Sequence, residues 1–192
     1  MHSLFPIPLR EFYGTDKEIN NKIIPLVYSH IKKVESTLSD SDRNKFDSSI
    51  NGHTSYYGPD LTTVPEFEFW LQYLWKCLYN EMQKNLGIQM TWFTIYGDGH
   101  FIPRHTHAMS EWSGVYYVKA EKNCGDLTFF DPIGDLRNHY SNDHNLAYSV
   151  EPQENMFLVF PSWLAHESKP NKSGTDRIIF SFNFMTENPN AN

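Results

Sequence analysis

The sequence lacks long hydrophobic runs, a basic stripe and a secretory signal. Its longest apolar runs, such as residues 156–161, are far shorter than the ~20 residues that a membrane helix needs. Lys and Arg number 16 against 23 Asp and Glu, which gives a net charge of -7, and basic residues nowhere gather as nucleic-acid binding requires. The first residues show no basic start followed by a sustained apolar stretch. We therefore expect a cytoplasmic protein that binds neither nucleic acid nor membranes.

Cysteine is also scarce. The two cysteines are Cys77, which falls within an amphipathic helical pattern, and Cys124. Two residues do not make a disulfide framework, so we expect two reduced, inert thiols.

The rest of the composition is that of a globular domain rich in aromatic rings. The chain has 192 residues, of which 40% are hydrophobic and 16% aromatic. This length predicts one domain, residues 1–192, whose core is large enough for the domain to fold by itself. Helical patterns occupy about residues 15–87, and patterns with a period of two occupy about residues 88–186.

Two helices are predicted in the first part of the chain. Thr15 and Glu18 have the spacing of a capping box, and so do Thr63 and Glu66, each before an apolar stripe at helical spacing. After Gly87 the apolar period becomes two, which predicts strands. The predicted strands are 89–96, 113–119, 126–130, 147–151, 156–160, 165–169 and 177–185, and the tract 101–107 is an eighth candidate.

This order of elements predicts an α+β fold with a mainly β core. Seven or eight short strands are enough for a double-stranded β-helix, the jelly roll, with the N-terminal helices packed on one sheet.

Three of the nine histidines form a candidate metal site. His105 and His107 are two residues apart on an extended tract, so their side chains leave the same face. His166 follows a turn at the end of another predicted strand, and a jelly roll can bring these strand ends together. Three neutral imidazoles suit iron, zinc, manganese or copper.

Arg177 is the fourth residue that stands out. Alternation along residues 177–184 places the phenylalanines on one face and Arg177 on the other, where it points into the barrel. A buried guanidinium needs an anion. Its partner is either a bidentate carboxylate ligand or a protein carboxylate, for example one on the predicted strand 126–131.

An ordered set of sequence blocks resembles the iron(II)- and 2-oxoglutarate-dependent oxygenases, specifically a small family of that superfamily. The blocks are His105-Thr-His107, SGVYYVK at 113–119, GDLTFFDP at 125–132, FPSWLAH at 160–166 and RIIFSFNF at 177–184. Together they cover about residues 90–185. The resemblance implies a dioxygenase, most simply a hydroxylase, that uses Fe(II), 2-oxoglutarate and O2.

The resemblance also implies roles for individual residues. His105, His107 and His166 match the metal ligands, and Arg177 matches the basic residue that holds the distal carboxylate of 2-oxoglutarate. Three further positions match cosubstrate contacts of related enzymes: Tyr117, Tyr96 and Asn183. No catalytic residue beyond the metal ligands is implied.

One departure from the superfamily leaves alternatives open. Most members have Asp or Glu where this chain has His107, so either His107 or a carboxylate such as Glu111 completes the site, and the metal could differ from iron. The spacing of His105, His107, Glu111 and His166 also approximates the cupin metal signature, which needs no 2-oxoglutarate. A jelly-roll binding module without catalysis is a third reading. The substrate, whether a small molecule or a peptide, and the oligomeric state are not indicated.

Overall fold

The computed structural model describes residues 6–16, 18–39, 41, 52–134 and 146–187. This part of the chain contains two α-helices, α1 (Ile19–Thr37) and α2 (Glu68–Met82). Its strands are β1 (Arg10–Tyr13), β2 (His53–Thr54), β3 (Leu86–Tyr96), β4 (Trp112–Lys119), β5 (Leu127–Phe130), β6 (Ala147–Val150), β7 (Met156–Pro161), β8 (His166–Ser168) and β9 (Arg177–Thr186). None of the described helices has the length and apolar character that crossing a membrane requires.

The strands form two antiparallel sheets that do not close into a barrel. The large sheet has the order β1-β7-β4-β9-β3-β2, and the small sheet has the order β6-β5-β8. The predicted jelly roll, mainly β with N-terminal helices on one sheet, is confirmed. The connections place β8 beside β5 in the small sheet, where it lines one cavity together with residues of β3, β4 and β9 of the large sheet.

The period of two divides the core into two layers. Along β9, the side chains of Phe180, Phe182 and Phe184 are fully buried against the helices. The alternate residues Ile179 and Ser181 face the space between the sheets. In β4, Tyr116 belongs to the helix layer, while its neighbours belong to the layer between the sheets. The alternation read from the sequence therefore decides which side chains can reach a site inside the jelly roll.

The helices cover the outer face of the large sheet through one apolar stripe each. Trp70 of α2 is fully buried, and its ring centroid lies 4.5 Å from that of Phe180 and 5.2 Å from that of Tyr116. This layer leaves only the inner face of the large sheet for polar and functional groups.

Both predicted capping boxes are wrong. Helix α1 begins at Ile19 rather than at Thr15, because the Glu18 backbone N–H donates to Asp16 Oδ1 (2.9 Å) and forms a turn before the helix. In front of α2 lie two 3-10 turns, and the first of them is capped by Asp60, whose Oδ1 accepts from the Thr62 N–H. Before α1, Asp16 takes the Glu18 N–H that Thr15 would need, and before α2 the chain enters through 3-10 turns, so neither threonine caps its helix.

The strand predictions are confirmed to within a few residues at each end. The tract 101–107 is not a continuous strand, since it contains only two isolated bridge residues, Phe101 and His105, of which His105 pairs with His166 in antiparallel fashion. Two edge strands, β1 and β2, are absent from the sequence prediction. They are short and bind by backbone pairing to β7 and β3, so their side-chain pattern carries little signal.

Candidate functional site

The three candidate histidines meet between the sheets. The backbone N–H and C=O of His105 pair with those of His166 at 2.9 and 3.0 Å, and the His107 N–H donates to the Ser162 carbonyl at 2.9 Å. Two backbone links thus bring the 105–107 tract to the loop and strand that carry His166. One ligating nitrogen from each of the three rings lies within 4.8 Å of the other two. The sequence prediction that these three residues converge matches their placement.

The imidazoles are prepared to bind a cation. The Nδ1 atoms of His105 and His166 each lie 2.8 Å from a backbone carbonyl, of Pro103 and of Leu164. A carbonyl only accepts, so Nδ1 carries the hydrogen in both rings and Nε2 keeps its lone pair for a metal. Burial is the main cause, and the neighbouring His105 the second, that together lower the pKa of His107 to about 4 and that of His166 to about 3. Neutral imidazoles are the form that ligates metals.

These pKa values predict how the metal-free protein responds to acid. Below about pH 6.5 the imidazoles of the unfolded chain take up protons, while His107 in the folded chain stays neutral down to about pH 4. The unfolded state then binds more protons, so stability falls as the pH is lowered. We expect the thermal midpoint of chelator-treated protein to decrease from pH 6.5 to 5. His107→Gln does not titrate and should lose less over this interval, whereas equal losses in both proteins would contradict the assignment.

Arg177, the first residue of β9, lines the same cavity as the histidines. It lies beside Ser168, at the end of β8 opposite His166. It is 1% exposed and donates through Nη1 to the carbonyls of Cys124 (2.6 Å) and Gly125 (2.9 Å). Its Nη2 donates to Ser168 Oγ at 2.9 Å. Ser168 and His166 are two residues apart on one strand face, which separates them by about 6.6 Å. A five-carbon dicarboxylate is of comparable length.

One part of the Arg177 guanidinium has no partner. Its Nε is buried and makes no hydrogen bond to any described residue. No carboxylate in the described part of the chain lies within ion-pair distance, so the protein-carboxylate alternative finds no support on the strand 126–131. A buried guanidinium with an unused N–H is suited to receive an anionic ligand. The Arg177 end of the cavity therefore offers a position for an anionic group.

Gly125 makes room for Arg177. It has φ of +94°, and a Cβ added there would lie 2.9 Å from Nη1 of Arg177 and clash with the Lys169 carbonyl. Gly125→Ala should displace the guanidinium and weaken 2-oxoglutarate binding by about tenfold, a cost of ~1.4 kcal/mol. Calorimetry with 2-oxoglutarate measures the effect. Gly87→Ala, where a Cβ meets nothing within 4 Å, is the matched control, and equal affinities in the two variants would refute the effect.

Both candidate tyrosines line the cavity. The Tyr96 ring lies under the guanidinium, 4.4 Å from Arg177 Cζ to the ring centroid. The Tyr117 hydroxyl makes no hydrogen bond to the described residues, and Tyr117 is 3% exposed. Burial raises the pKa of Tyr96 to about 12 and raises that of Tyr117 as well, so both remain neutral donors.

Asn183 is not part of the cavity lining. Its Oδ1 accepts from Ser113 Oγ at 2.8 Å, and Ser113 Oγ lies 2.8 Å from Ser162 Oγ. The Ser162 carbonyl in turn accepts from His107. Asn183 is therefore placed behind the histidine loop, where it supports the backbone to which His107 binds.

Glu111 does not join the histidines. Its Oε2 accepts from the backbone N–H and the hydroxyl of Thr186, at 2.9 and 2.7 Å. The four-ligand cupin set is therefore not assembled in this structure. Among the described residues, the metal-sized cluster of His, Cys, Asp and Glu side chains is the histidine trio alone.

Two further residues of the cavity shape the site. Ser168 binds Arg177 and was not predicted, although its position two residues after His166 on the same strand face was a signal that could have found it. Trp92 lines the cavity, with its ring centroid 5.8 Å from that of His107, and no sequence pattern separates it from a core residue.

Residues 90–183 match the family model described as "Putative 2OG-Fe(II) oxygenase". The resemblance read from the sequence blocks is thereby confirmed. No curated protein matches the chain in sequence.

Several solved structures share the fold at low sequence identity. A prolyl-4-hydroxylase from Pseudomonas putida is 16% identical, with 95% of this chain and 94% of its own covered, at a TM-score of 0.59. The viral collagen prolyl hydroxylase from Paramecium Bursaria Chlorella virus-1, solved with 2OG, is 14% identical, with 92% and 94% covered, at 0.58. A 2OG-Fe(II) oxygenase-family oxidoreductase from Burkholderia pseudomallei is 13% identical over 63% of this chain, at 0.50. The chain spans 58% of that oxidoreductase.

Proposed function

We propose that this chain, which belongs to the iron(II)- and 2-oxoglutarate-dependent oxygenases, is a hydroxylase that oxidises a substrate C–H bond. The family implies Fe(II), 2-oxoglutarate and O2 as cofactors. Hydroxylation is the reaction in the names of two of the similar solved structures. Their identities to this chain are too low to indicate its substrate.

One observation carries the proposal. One cavity is lined by three converging imidazoles and by a buried guanidinium with an unused N–H. The imidazoles lie at the His166 end of β8, and the guanidinium lies at the Ser168 end. A metal-only site has no need of the guanidinium, and a guanidinium in the core has no need of three histidines. A metal-chelating dicarboxylate uses both.

His105, His107 and His166 would hold the iron, and Arg177 would hold the distal carboxylate of 2-oxoglutarate with Tyr117 as a second donor. When bound, iron(II) and 2-oxoglutarate supply the oxidising chemistry, in which 2-oxoglutarate and O2 yield succinate and CO2 and one oxygen atom enters the substrate C–H bond. The Tyr96 ring keeps the guanidinium plane in place. Trp92 and Phe160 exclude water from the histidines. No side chain is required as a general base.

Succinate formation tests the proposal. Purified protein incubated in air with iron(II) and 2-oxoglutarate should release succinate slowly even without its substrate, and a chelator should stop the release. His105→Ala should also be inactive, because it removes a metal donor. Protein that binds iron(II) yet produces no succinate, with or without a panel of candidate substrates, would contradict the proposed reaction.

A further inference from the structure

The charges inside the cavity do not balance with iron and 2-oxoglutarate alone. Among the described residues that line it, Arg177 is the only one with a formal charge at neutral pH, and no Asp or Glu contributes. Imidazoles ligate metals in their neutral form. A divalent ion bound by His105, His107 and His166 therefore adds two positive charges that no protein ligand offsets.

Neighbouring acids are engaged elsewhere. Glu111 accepts from Thr186, and Glu167 pairs with Lys169. Asp126 is near enough to raise the pKa of Tyr117, so its charge acts at the Arg177 end of the cavity. The rings around His166, those of Phe129 and Phe160, are apolar. At the histidine end, the described residues offer no negative charge.

2-Oxoglutarate offsets part of this charge. Its near carboxylate cancels one of the ion's two charges at the histidine end, and its distal carboxylate pairs with Arg177. In most of the superfamily, the carboxylate at the position of His107 cancels the ion's second charge. Here no described residue cancels it, so one positive charge remains at the histidine end, beside the apolar rings of Phe129 and Phe160, and a buried charge without a partner is unfavourable.

We propose that the substrate carries a carboxylate, which enters the cavity at the histidine end and supplies the missing negative charge. This inference rests on the proposed function. It assigns His107 a role in choosing an acidic substrate in addition to its place beside the metal.

Calorimetry on the Mn(II)-loaded protein, in a chloride-free HEPES buffer, tests the inference without turnover. The first titration, with 2-oxoglutarate, fills the cosubstrate site, and the protein is then titrated with acetate and, separately, with its neutral isostere acetamide. We expect acetate to bind saturably, and acetamide to bind at least about tenfold more weakly. Chloride is the third probe, and it should bind more weakly than acetate.

His107→Asp is the matched variant, since it restores the carboxylate that is common in the superfamily. It should bind acetate at least about tenfold more weakly than the unmodified protein. If the variant does not bind metal, the comparison of acetate with acetamide in the unmodified protein decides whether the inference holds. Equal binding of acetate and acetamide, or no binding of either, would overturn the inference, and so would a site that takes chloride alone. If 2-oxoglutarate does not bind in the first titration, the proposed function fails together with the inference. If 2-oxoglutarate binds and acetate does not, the inference fails and the proposed function stands.

Discussion

Arg177→Met should weaken 2-oxoglutarate binding by more than about 100-fold and abolish succinate formation. A carboxylate that takes two charge-assisted hydrogen bonds from a guanidinium gains roughly 1.5–3 kcal/mol from each, so their loss costs ~3 kcal/mol or more. That free energy corresponds to at least about 100-fold in the dissociation constant. Calorimetry with 2-oxoglutarate on Mn(II)-loaded protein measures it directly.

Arg104→Met is the matched control, since the Arg104 guanidinium lies over the Phe130 ring and does not line the cavity. Methionine at position 177 leaves the carbonyls of Cys124 and Gly125 without their donor, so the variant will also be less stable. Arg177→Lys separates the two effects, because it keeps a donor and a charge in the core but loses the planar fork, and it should bind 2-oxoglutarate with intermediate affinity. A methionine variant that folds and binds 2-oxoglutarate like the unmodified protein would show that Arg177 is a structural residue.

His166→Ala should abolish the stabilisation that a metal gives the protein. His166 is 4% exposed, and its ring lies against those of His105 and His107, with centroids 4.3 and 5.2 Å away. Removal of one of three donors should weaken Mn(II) or iron(II) binding by at least about 100-fold. The thermal midpoint of the unmodified protein rises with metal concentration because metal binds the folded state, and that of the variant should not.

His100→Ala controls for the loss of any imidazole. His100 Nδ1 accepts from the Gly97 N–H, and the residue lies outside the histidine trio. This variant should keep the metal-dependent rise in the thermal midpoint. A His166→Ala protein that still gains stability from micromolar Mn(II) would place the metal elsewhere.

The parts of the fold that could be predicted from the sequence are those encoded by side-chain period. Alternation along β9 identified the inward face that carries Arg177, because one row of phenylalanines marks the opposite face. The histidine pair at 105 and 107 was predictable for the same reason. Capping was not, since Asp16 takes the Glu18 N–H that Thr15 would need, and Asp60 instead starts a 3-10 turn before α2. The two edge strands were not either, because they are held by backbone hydrogen bonds that any residue can make.

Within the site, the sequence indicated which residues carry chemistry but not what orients them. The carbonyls that bind Nη1 of Arg177 belong to the turn between β4 and β5, more than 50 residues earlier in the chain, and backbone acceptors leave no mark in a sequence. Asn183 shows the opposite case. Its inward position was predicted, yet Ser113 and Ser162 hold it behind the His107 loop.

The backbone bridge between His105 and His166 bears on how the protein acquires and loses its metal. Two hydrogen bonds join these residues in the structure, independently of any ion, so the chain segments 61 positions apart are already aligned when the protein has folded. The three ligating nitrogens already lie within 4.8 Å of one another, so loading should not require the backbone to rearrange. Iron should exchange with the surroundings as a reversible, late event, and stripped protein should recover its metal within an ordinary mixing step, without passing through an unfolded state.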